Sequence, residues 1–516
     1  MPLMHYDVIV IGAGHNGLTA ATALAQSGRK VIVLEKRELA GGLAASEEFY
    51  PGFRTQGLLQ ETAGVRPSII TSLGLRNRGL QLRGEEAGSF VPEPDGPGVH
   101  LFRDAARFTS ANPTLADEEK KAYHEFREFL GRITPFISTV LNQTPPPITD
   151  KGTEGAWTLL KTGISLRALG RDTLHELLRI GPMCVADFLN ERFKSDALKV
   201  GLAAPSIHGT FLGPWSAGSV ATFLLREAAA SKSVVGGPAA VTRALLASAS
   251  EAGVTLRMNA GVRRIRVSGG SVLGVALDNG ENIDAMIVAS ACDPKRTFFQ
   301  FLEPGNLPDS LSEQIRIIKM RGTTAAVRIA LEKPLTFPGR PEMTPEEILT
   351  GKDIDSLEKA YDAVKYGEMS EVPHLAIKVP TLSELDLAPK DKHVAEVLVH
   401  FAPYHLKGGW NEAARNELGV RVFKVLAGYC PEFESSVIAK EILTPVDFEE
   451  RYGLTEGHIH HGEHSLDQLH TLRPSVDTSR YRTPIEGLFL CGSGSHPGGG
   501  ITCAPGAMAA EAIKNT

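Results

Sequence analysis

Short, unbroken apolar runs that feed into glycine turns set the pattern of this chain. Tyr6-Asp-Val-Ile-Val-Ile11 reads as a buried strand, and it leads into Gly12-Ala-Gly-His-Asn-Gly17 and then into small residues at helical spacing, Leu18 to Ala25. The helix is predicted to end near Gly28, and Lys30-Val-Ile-Val-Leu34 makes a second strand. The far end repeats the arrangement: Gly487-Leu-Phe-Leu-Cys491, a glycine-rich run from Gly492 to Gly500, and a helix-like Ala507 to Lys514. A third stretch begins at the turn Val235-Gly-Gly-Pro238, with a helix from about Ala239 to Ala252 and strands over Gly253–Arg257, Gly261–Ile265 and Val272–Leu277. Asn279-Gly280 then makes a hairpin turn before a strand over Glu281–Val288. Helical periodicity covers Asp117–Leu141 and Leu159–Asn190, broken by Thr144-Pro-Pro-Pro-Ile148. The apolar positions of these helices suit ordinary helix packing, the wall of an apolar pocket, or contact with a membrane surface.

The 516 residues imply two or three domains, and 42% apolar with 22% charged residues is the balance of a folded globular chain. A net charge of −6 with no basic block argues against nucleic acid as a partner. The five cysteines, Cys184, Cys292, Cys430, Cys491 and Cys503, contain no Cys-x-x-Cys pair, so neither a zinc site nor a disulfide framework is indicated. A cytoplasmic or other reducing compartment is expected rather than secretion. No stretch of about 18 apolar residues occurs, so no segment is expected to span a membrane, although peripheral contact stays open. Oligomeric state leaves no mark.

Candidate chemistry concentrates in the glycines. Gly12 permits the turn, Gly14 lets a pyrophosphate approach the backbone, and Gly17 lets helix and sheet pack closely, with the phosphates at a helix N-terminus. Glu35, 23 residues after Gly12 and at the end of the second strand, stands where a ribose-binding acid belongs. Lys36 and Arg37 follow, and then a second glycine pair, Gly41-Gly42, which a simple NAD domain does not need. The stretch Gly12 to Gly42 resembles the flavoprotein superfamily of amine oxidases, phytoene desaturases and Rab GDP-dissociation inhibitors. That resemblance implies FAD held by Gly12, Gly14, Asn16, Gly17, Glu35, Lys36, Arg37, Gly41, Gly42 and Leu43. Leu43 is a departure, since amine oxidases usually carry Arg after the glycine pair.

Gly492-Ser-Gly-Ser-His-Pro-Gly-Gly-Gly500 is similar to the C-terminal flavin signature of the phytoene desaturase and carotenoid isomerase family. It implies contact of Gly492, Ser493, Gly499, Gly500 and Ile501 with the isoalloxazine, where backbone N–H groups favour the negative charge of the reduced ring. His496 is expected to shape this turn or touch the flavin, and Cys491 and Cys503 to fill core space. The same resemblance brings the backbone of Val262 to the adenine, and it matches Ser290-Ala-Cys-Asp-Pro294 to a return segment in which Cys292 is unusual. The implied fold is α/β: a Rossmann-type FAD-binding domain of the amine oxidase/phytoene desaturase (GDI-like) fold over 1–80, 231–295 and 481–516. It is interleaved with an α+β, partly helical substrate domain over 81–230 and 296–480.

Gly457-His-Ile-His-His-Gly-Glu-His464 has histidines at metal-like spacing, but Gly457 and Gly462 interrupt any helix, so no metal is assigned. A polar loop and a position near flavin or substrate are the remaining readings. His461-Gly-Glu463, Leu466-Asp-Gln-Leu469, Arg473-Pro474 and the segment around Trp215 resemble the branch of the pyridine nucleotide-disulphide oxidoreductase domain-containing proteins. His461 is taken as the catalytic or substrate-contacting residue, with Glu463 as its orienter. The expected activity is FAD-dependent desaturation, or isomerisation through reversible redox, of carbon–carbon bonds in an apolar, possibly polyene, substrate, with hydride passing to flavin N5. No second dinucleotide unit occurs, so oxygen or a quinone, rather than NADPH, is the expected electron partner. An amine or amino-acid oxidase is the alternative, opposed by Leu43 and the His-Pro-Gly-Gly-Gly loop. A flavin-free binding protein like the GDP-dissociation inhibitors is another, and those lack the C-terminal signature.

Overall fold

The computed structural model describes residues 6–86, 88–94, 96–147, 160, 162–337 and 347–516. At its centre is a five-stranded, wholly parallel sheet in the order Leu488–Leu490, Ile287–Ser290, Val8–Ile11, Val31–Leu34, Thr255–Arg257. Its strands come from three separated stretches of chain, and both ends of the polypeptide contribute. The first two strands are buried at every position, which explains why they read as unbroken apolar runs rather than alternating ones. Val8, Val10, Val31 and Val33 pack towards the helices His15–Gln26, Gly237–Glu251 and Ala504–Lys514. Ile9, Ile11, Ile32 and Leu34 face the antiparallel meander Val262–Ser268, Ser271–Leu277, Asn282–Asp284. The result is a three-layer α/β unit, the fold class expected above. First and last helices touch backbone to backbone: a Cβ on Gly506 would lie 2.1 Å from the Asn16 carbonyl oxygen.

Two expected elements are drawn differently. The strand over Glu281–Val288 is two strands, because Asn282–Asp284 closes the meander and Ile287–Ser290 enters the parallel sheet. The helix over Leu159–Asn190 is broken: Arg171–Ile180 starts after Gly170, which has φ 81°, and Val185–Asn190 starts after Gly181-Pro182. Its start at Leu159, like Ile148 of the preceding break, lies outside the described residues. The long helix Asp117–Leu141 forms over the span expected. Its Phe126 packs against Phe188, Phe193 and Phe223 at centroid distances of 5.7, 5.3 and 6.0 Å, so much of its apolar stripe goes to helix packing. No helix among the described residues is long and apolar enough to cross a membrane.

A second sheet of seven strands runs Val437–Leu443, Thr324–Leu331, His393–His400, His374–Lys378, Glu347–Leu349, Ser89–Val91, Val99–Leu101. All its pairings are antiparallel except Glu347–Leu349 with Ser89–Val91. One face is apolar and packs on the helix Glu412–Tyr429 through Leu418, Val422 and Leu426. The other carries three cross-strand rows: His400 beside His374 and Thr324, Leu398 beside Ala376 and Ala326, and Glu396 beside Lys378 and Arg328. Buried polar side chains on one face of a sheet need partners or a ligand, and this face is where the two sheets' loops converge.

Candidate functional site

The turn from Gly12 to Gly17 is built as its glycines require. Gly12 has φ 96°, open to glycine at little cost, and Gly17 lies so close to the turn that a Cβ would stand 2.0 Å from the Gly12 carbonyl oxygen. Gly41 donates its N–H to the Ala13 carbonyl, and a Cβ on Gly42 would press on the Gly14 Cα at 3.3 Å, so the second glycine pair braces the first loop. The C-terminal loop meets it from the other side. Asn16 Nδ2 donates to Ser493 Oγ at 3.0 Å, and His15 is hydrogen-bonded to the Gly500 backbone. Gly14 and Gly500 are the two positions in these loops where an added Cβ would meet nothing within 4 Å. His15 Nε2 and Asn16 Oδ1 are buried without a partner. Open backbone beside orphaned polar atoms suits a hydroxylated, phosphate-bearing coenzyme, and FAD fits it.

The other cofactor-side residues line up around this junction. Glu35 accepts from Ala13 N at 2.8 Å and from Arg37 N at 3.0 Å, while its carbonyl takes the N–H of Ala260, two residues before Val262 opens its strand. Lys36 has its pKa lowered by burial and by Arg296. Arg37 is locked to Glu47 and lies over the Tyr452 ring at 4.7 Å. Leu43 is buried, with its carbonyl held by the N–H groups of Leu58 and Leu59. Gly492 backs onto the Ala291 carbonyl, where a Cβ would approach to 2.5 Å, Gly499 donates to His464 Nε2 at 3.0 Å, and Ile501 is buried beside Gly64. Cys491 and Cys503 are fully buried fillers.

Arg473 organises the space beneath the C-terminal loop. It is fully buried and donates to the carbonyls of His460 (2.9 Å), Gly462 (3.2 Å), Glu463 (2.9 Å), Gln468 (3.4 Å) and Ser493 (2.9 Å). Among the described residues no carboxylate balances it, and burial pulls its pKa down to about 9. The histidine loop and the C-terminal glycine loop are thus pinned by one guanidinium. Glu463 does not orient His461. Both its oxygens are taken by Arg321, Nε at 2.7 Å and Nη2 at 2.8 Å. The anion that acts on His461 is Asp293, and its other electrostatic neighbours include Arg473, His15, His458 and His460. His461 does not border the cavity described next, whose wall takes its neighbours His460 and His464.

A cavity of about 670 Å³ opens between Pro497–Thr502, the helices Asp196–Ile207 and Ser219–Ala229, and the polar face of the seven-stranded sheet. Its wall holds Leu202, Phe223 and Leu398, but also His208, His400, His460 and His464. His374 Nδ1 lies 2.6 Å from the Thr350 carbonyl and must carry the proton, so its Nε2 accepts from His208 Nε2 at 2.8 Å. His208 stacks on His400 at 3.7 Å, and His460 on His464 at 5.0 Å. Neither ring nitrogen of His400 or of His460 has a partner. Among the described residues no cluster of three or more His, Cys, Asp or Glu side chains forms a metal-holding group. These histidines escaped the sequence reading because they come from strands and loops up to 256 residues apart, as His208 to His464. One signal was present: Glu396 and His400 interrupt the same face of the apolar run Val394–Val399.

Burial is the largest cause of low pKa in all of them. His15 and His374 fall to about 4, His458 and His496 to about 3, and His208, His400, His460 and His464 well below the ordinary value. A depressed folded pKa contributes stability that is present above the unfolded value near 6.5 and lost as pH falls through the folded one. Glu396 acts oppositely: burial raises it to about 7, so its contribution is lost as pH rises from about 4.5 through 7. Each proton is worth about 1.4 kcal/mol per pH unit, and the lowered imidazoles outnumber the raised carboxyls of Glu86, Glu384, Glu396 and Glu456. The urea midpoint should therefore fall as pH drops below 6.5. A flat profile from pH 7 to 5 would show that the histidines are already protonated in the fold.

Comparison with known proteins agrees with this geometry. The family model described as flavin containing amine oxidoreductase matches residues 17–510. The chain is 31% identical to pyridine nucleotide-disulfide oxidoreductase domain-containing protein 2 of Mus musculus, over 98% of this chain and 93% of that one. It is 25% identical to the zeta-carotene-forming phytoene desaturase of Myxococcus xanthus, over 96% and 90%. Among solved structures, wild-type putrescine oxidase bound to putrescine superposes with a TM-score of 0.60 at 17% identity, covering 100% of both chains, a likeness of fold.

Proposed function

From the premise that this chain belongs to the flavin-containing amine oxidoreductase family and is an FAD-dependent oxidoreductase, we propose that it desaturates, or isomerises through reversible redox, carbon–carbon bonds of a largely apolar substrate. The observation that carries this reading is the position of the cavity: its wall includes Gly498–Thr502, the loop assigned to the coenzyme ring, and it continues between apolar helix side chains. A substrate held there is presented to that loop with most of its body out of water. Similarity to a phytoene desaturase supports carbon–carbon over carbon–nitrogen chemistry, as does Leu43 in place of the Arg usual in amine oxidases.

Bound FAD supplies a hydride acceptor. The chain's own residues do the rest. Gly14, Asn16, Glu35 and Gly500 hold the coenzyme, and Arg473 fixes the loop that positions it. His400 and His460 are neutral imidazoles, each with one unprotonated ring nitrogen and no protein partner, and they take the proton that leaves the substrate carbon. Only one dinucleotide unit is evident, so reoxidation falls to oxygen or a quinone.

The test is anaerobic mixing of the flavin-loaded protein with polyenes, cyclic alkenes, alkenoic acids and primary amines while the visible flavin band is followed. Bleaching by a compound with an oxidisable carbon–carbon bond and not by amines is expected. Bleaching by amines alone, with hydrogen peroxide released on admitting air, would replace the proposal with an amine oxidase.

A further inference from the structure

Arg226, on the helix Ser219–Ala229, borders the cavity and spends one of its five N–H donors on the His208 carbonyl, Nη2 to oxygen at 2.6 Å. No carboxylate stands within ion-pair distance of it among the described residues, and Glu61 and Glu347 act on it only from farther off. Arg66, also on the wall, likewise has a backbone partner, Nη1 to the Ala229 carbonyl at 3.1 Å, whereas two other arginines of the cavity are paired. Arg103 and Arg127 both pair with Glu227, at 3.6 and 2.9 Å. Arg226 instead has uncharged company, since His208, His400, His460 and His464 are all neutral, and each feels the guanidinium as a neighbouring positive charge.

A guanidinium taken from water needs an anion, and its planar fork matches a carboxylate with two parallel hydrogen bonds. Glu61 and Glu347 lie on the same wall but form no ion pair with Arg226, and its free donors face a cavity that also presents the apolar side chains of Leu202, Phe223, Leu225 and Leu398. We propose that Arg226 is a substrate-binding residue that pairs with a carboxylate at one end of an otherwise apolar molecule, so the substrate is an amphiphilic acid rather than a plain hydrocarbon. This rests on the proposed function only in taking the cavity as the substrate's.

Equilibrium binding separates the two claims. The flavin-loaded, full-length protein is titrated with dodecanoate and with methyl dodecanoate, reading the shift of the flavin absorbance band. The acid should bind at least about tenfold more tightly than the ester, a difference of about 1.4 kcal/mol. Arg226→Gln should abolish that preference and leave ester affinity within about twofold, and Arg226→Lys should keep part of it. Equal affinity of acid and ester, or no shift with either, overturns the assignment on the wild-type protein alone, whatever the folding of the variants. A variant that keeps the acid preference but loses flavin, or shifts its reduction potential, also overturns it and gives the guanidinium to the coenzyme. Tight, Arg226-dependent binding of acids with no anaerobic bleaching by any alkene or alkenoic acid would leave this inference standing and remove the desaturase reading.

Discussion

Arg473→Met should lower stability by at least about 3 kcal/mol and yield a protein that purifies without flavin. The methionine fills much of the volume, so the loss is not a cavity effect. It comes from the carbonyls of His460, Gly462, Gln468 and Ser493, which stay behind in a dry interior without donors, while Glu463 keeps only Gln468 Nε2 at 3.3 Å. Deleting a buried cation does return its desolvation cost. Four stranded acceptors at about 1 kcal/mol or more each outweigh that return. The damage should spread to the coenzyme, because Ser493 is also the partner of Asn16 in the N-terminal loop. Arg473→Lys keeps the charge but reaches fewer carbonyls, so an intermediate urea midpoint is expected. A wild-type midpoint with full flavin content for Arg473→Met would mean the two loops are held by something else.

The second large effect separates packing from coenzyme approach within six residues. Gly17→Ala places a methyl 2.0 Å from the Gly12 carbonyl oxygen, a backbone atom that cannot swing away, and should cost about 3 kcal/mol through overpacking. Gly14 has φ −70°, which alanine adopts freely, and its added Cβ would meet no protein atom within 4 Å. Gly14→Ala should accordingly leave apoprotein stability within about 0.5 kcal/mol of wild type and weaken FAD at least about tenfold. Reconstitution of apoprotein with FAD, followed by flavin fluorescence, reads the affinity. Unchanged affinity in Gly14→Ala would show that the open space beside Gly14 is not where the coenzyme's phosphates lie.

Where a function is written in contiguous residues, it was legible. Strand, glycine turn and helix occupy neighbouring positions at both ends, and the physics that selects them is local: left-handed φ at Gly12, close approach at Gly17, full burial of Val8–Ile11. Asp117–Leu141 was legible for the same reason, being one long periodic stripe. The break at Gly170 and at Gly181-Pro182 was also written locally, but the apolar period runs through it and masked it. What could not be seen is what folding brings together from afar. Glu463 follows His461 by two residues, which suggested a pair; the fold turns the carboxylate to Arg321, 142 residues away in sequence. His208, His374 and His400 share a contact only because helix end and sheet strands meet, and no spacing along the chain announces it. Nor does the period of the helix Ser219–Ala229 mark Arg226 as facing a void.

The parallel sheet has a temporal consequence. Its edge strand, Leu488–Leu490, and the helix that packs on Asn16 are synthesised hundreds of residues after their partners Ile287–Ser290 and His15–Gln26. Such distant pairing is slow to form and leaves apolar surface waiting. Until then the growing chain carries the Ile287–Ser290 edge bare and the vitamin-derived ligand unbound, and a single late closure both shields that edge and traps the ligand. Riboflavin starvation should be felt as aggregation of newly made chains, not as a pool of folded, colourless protein.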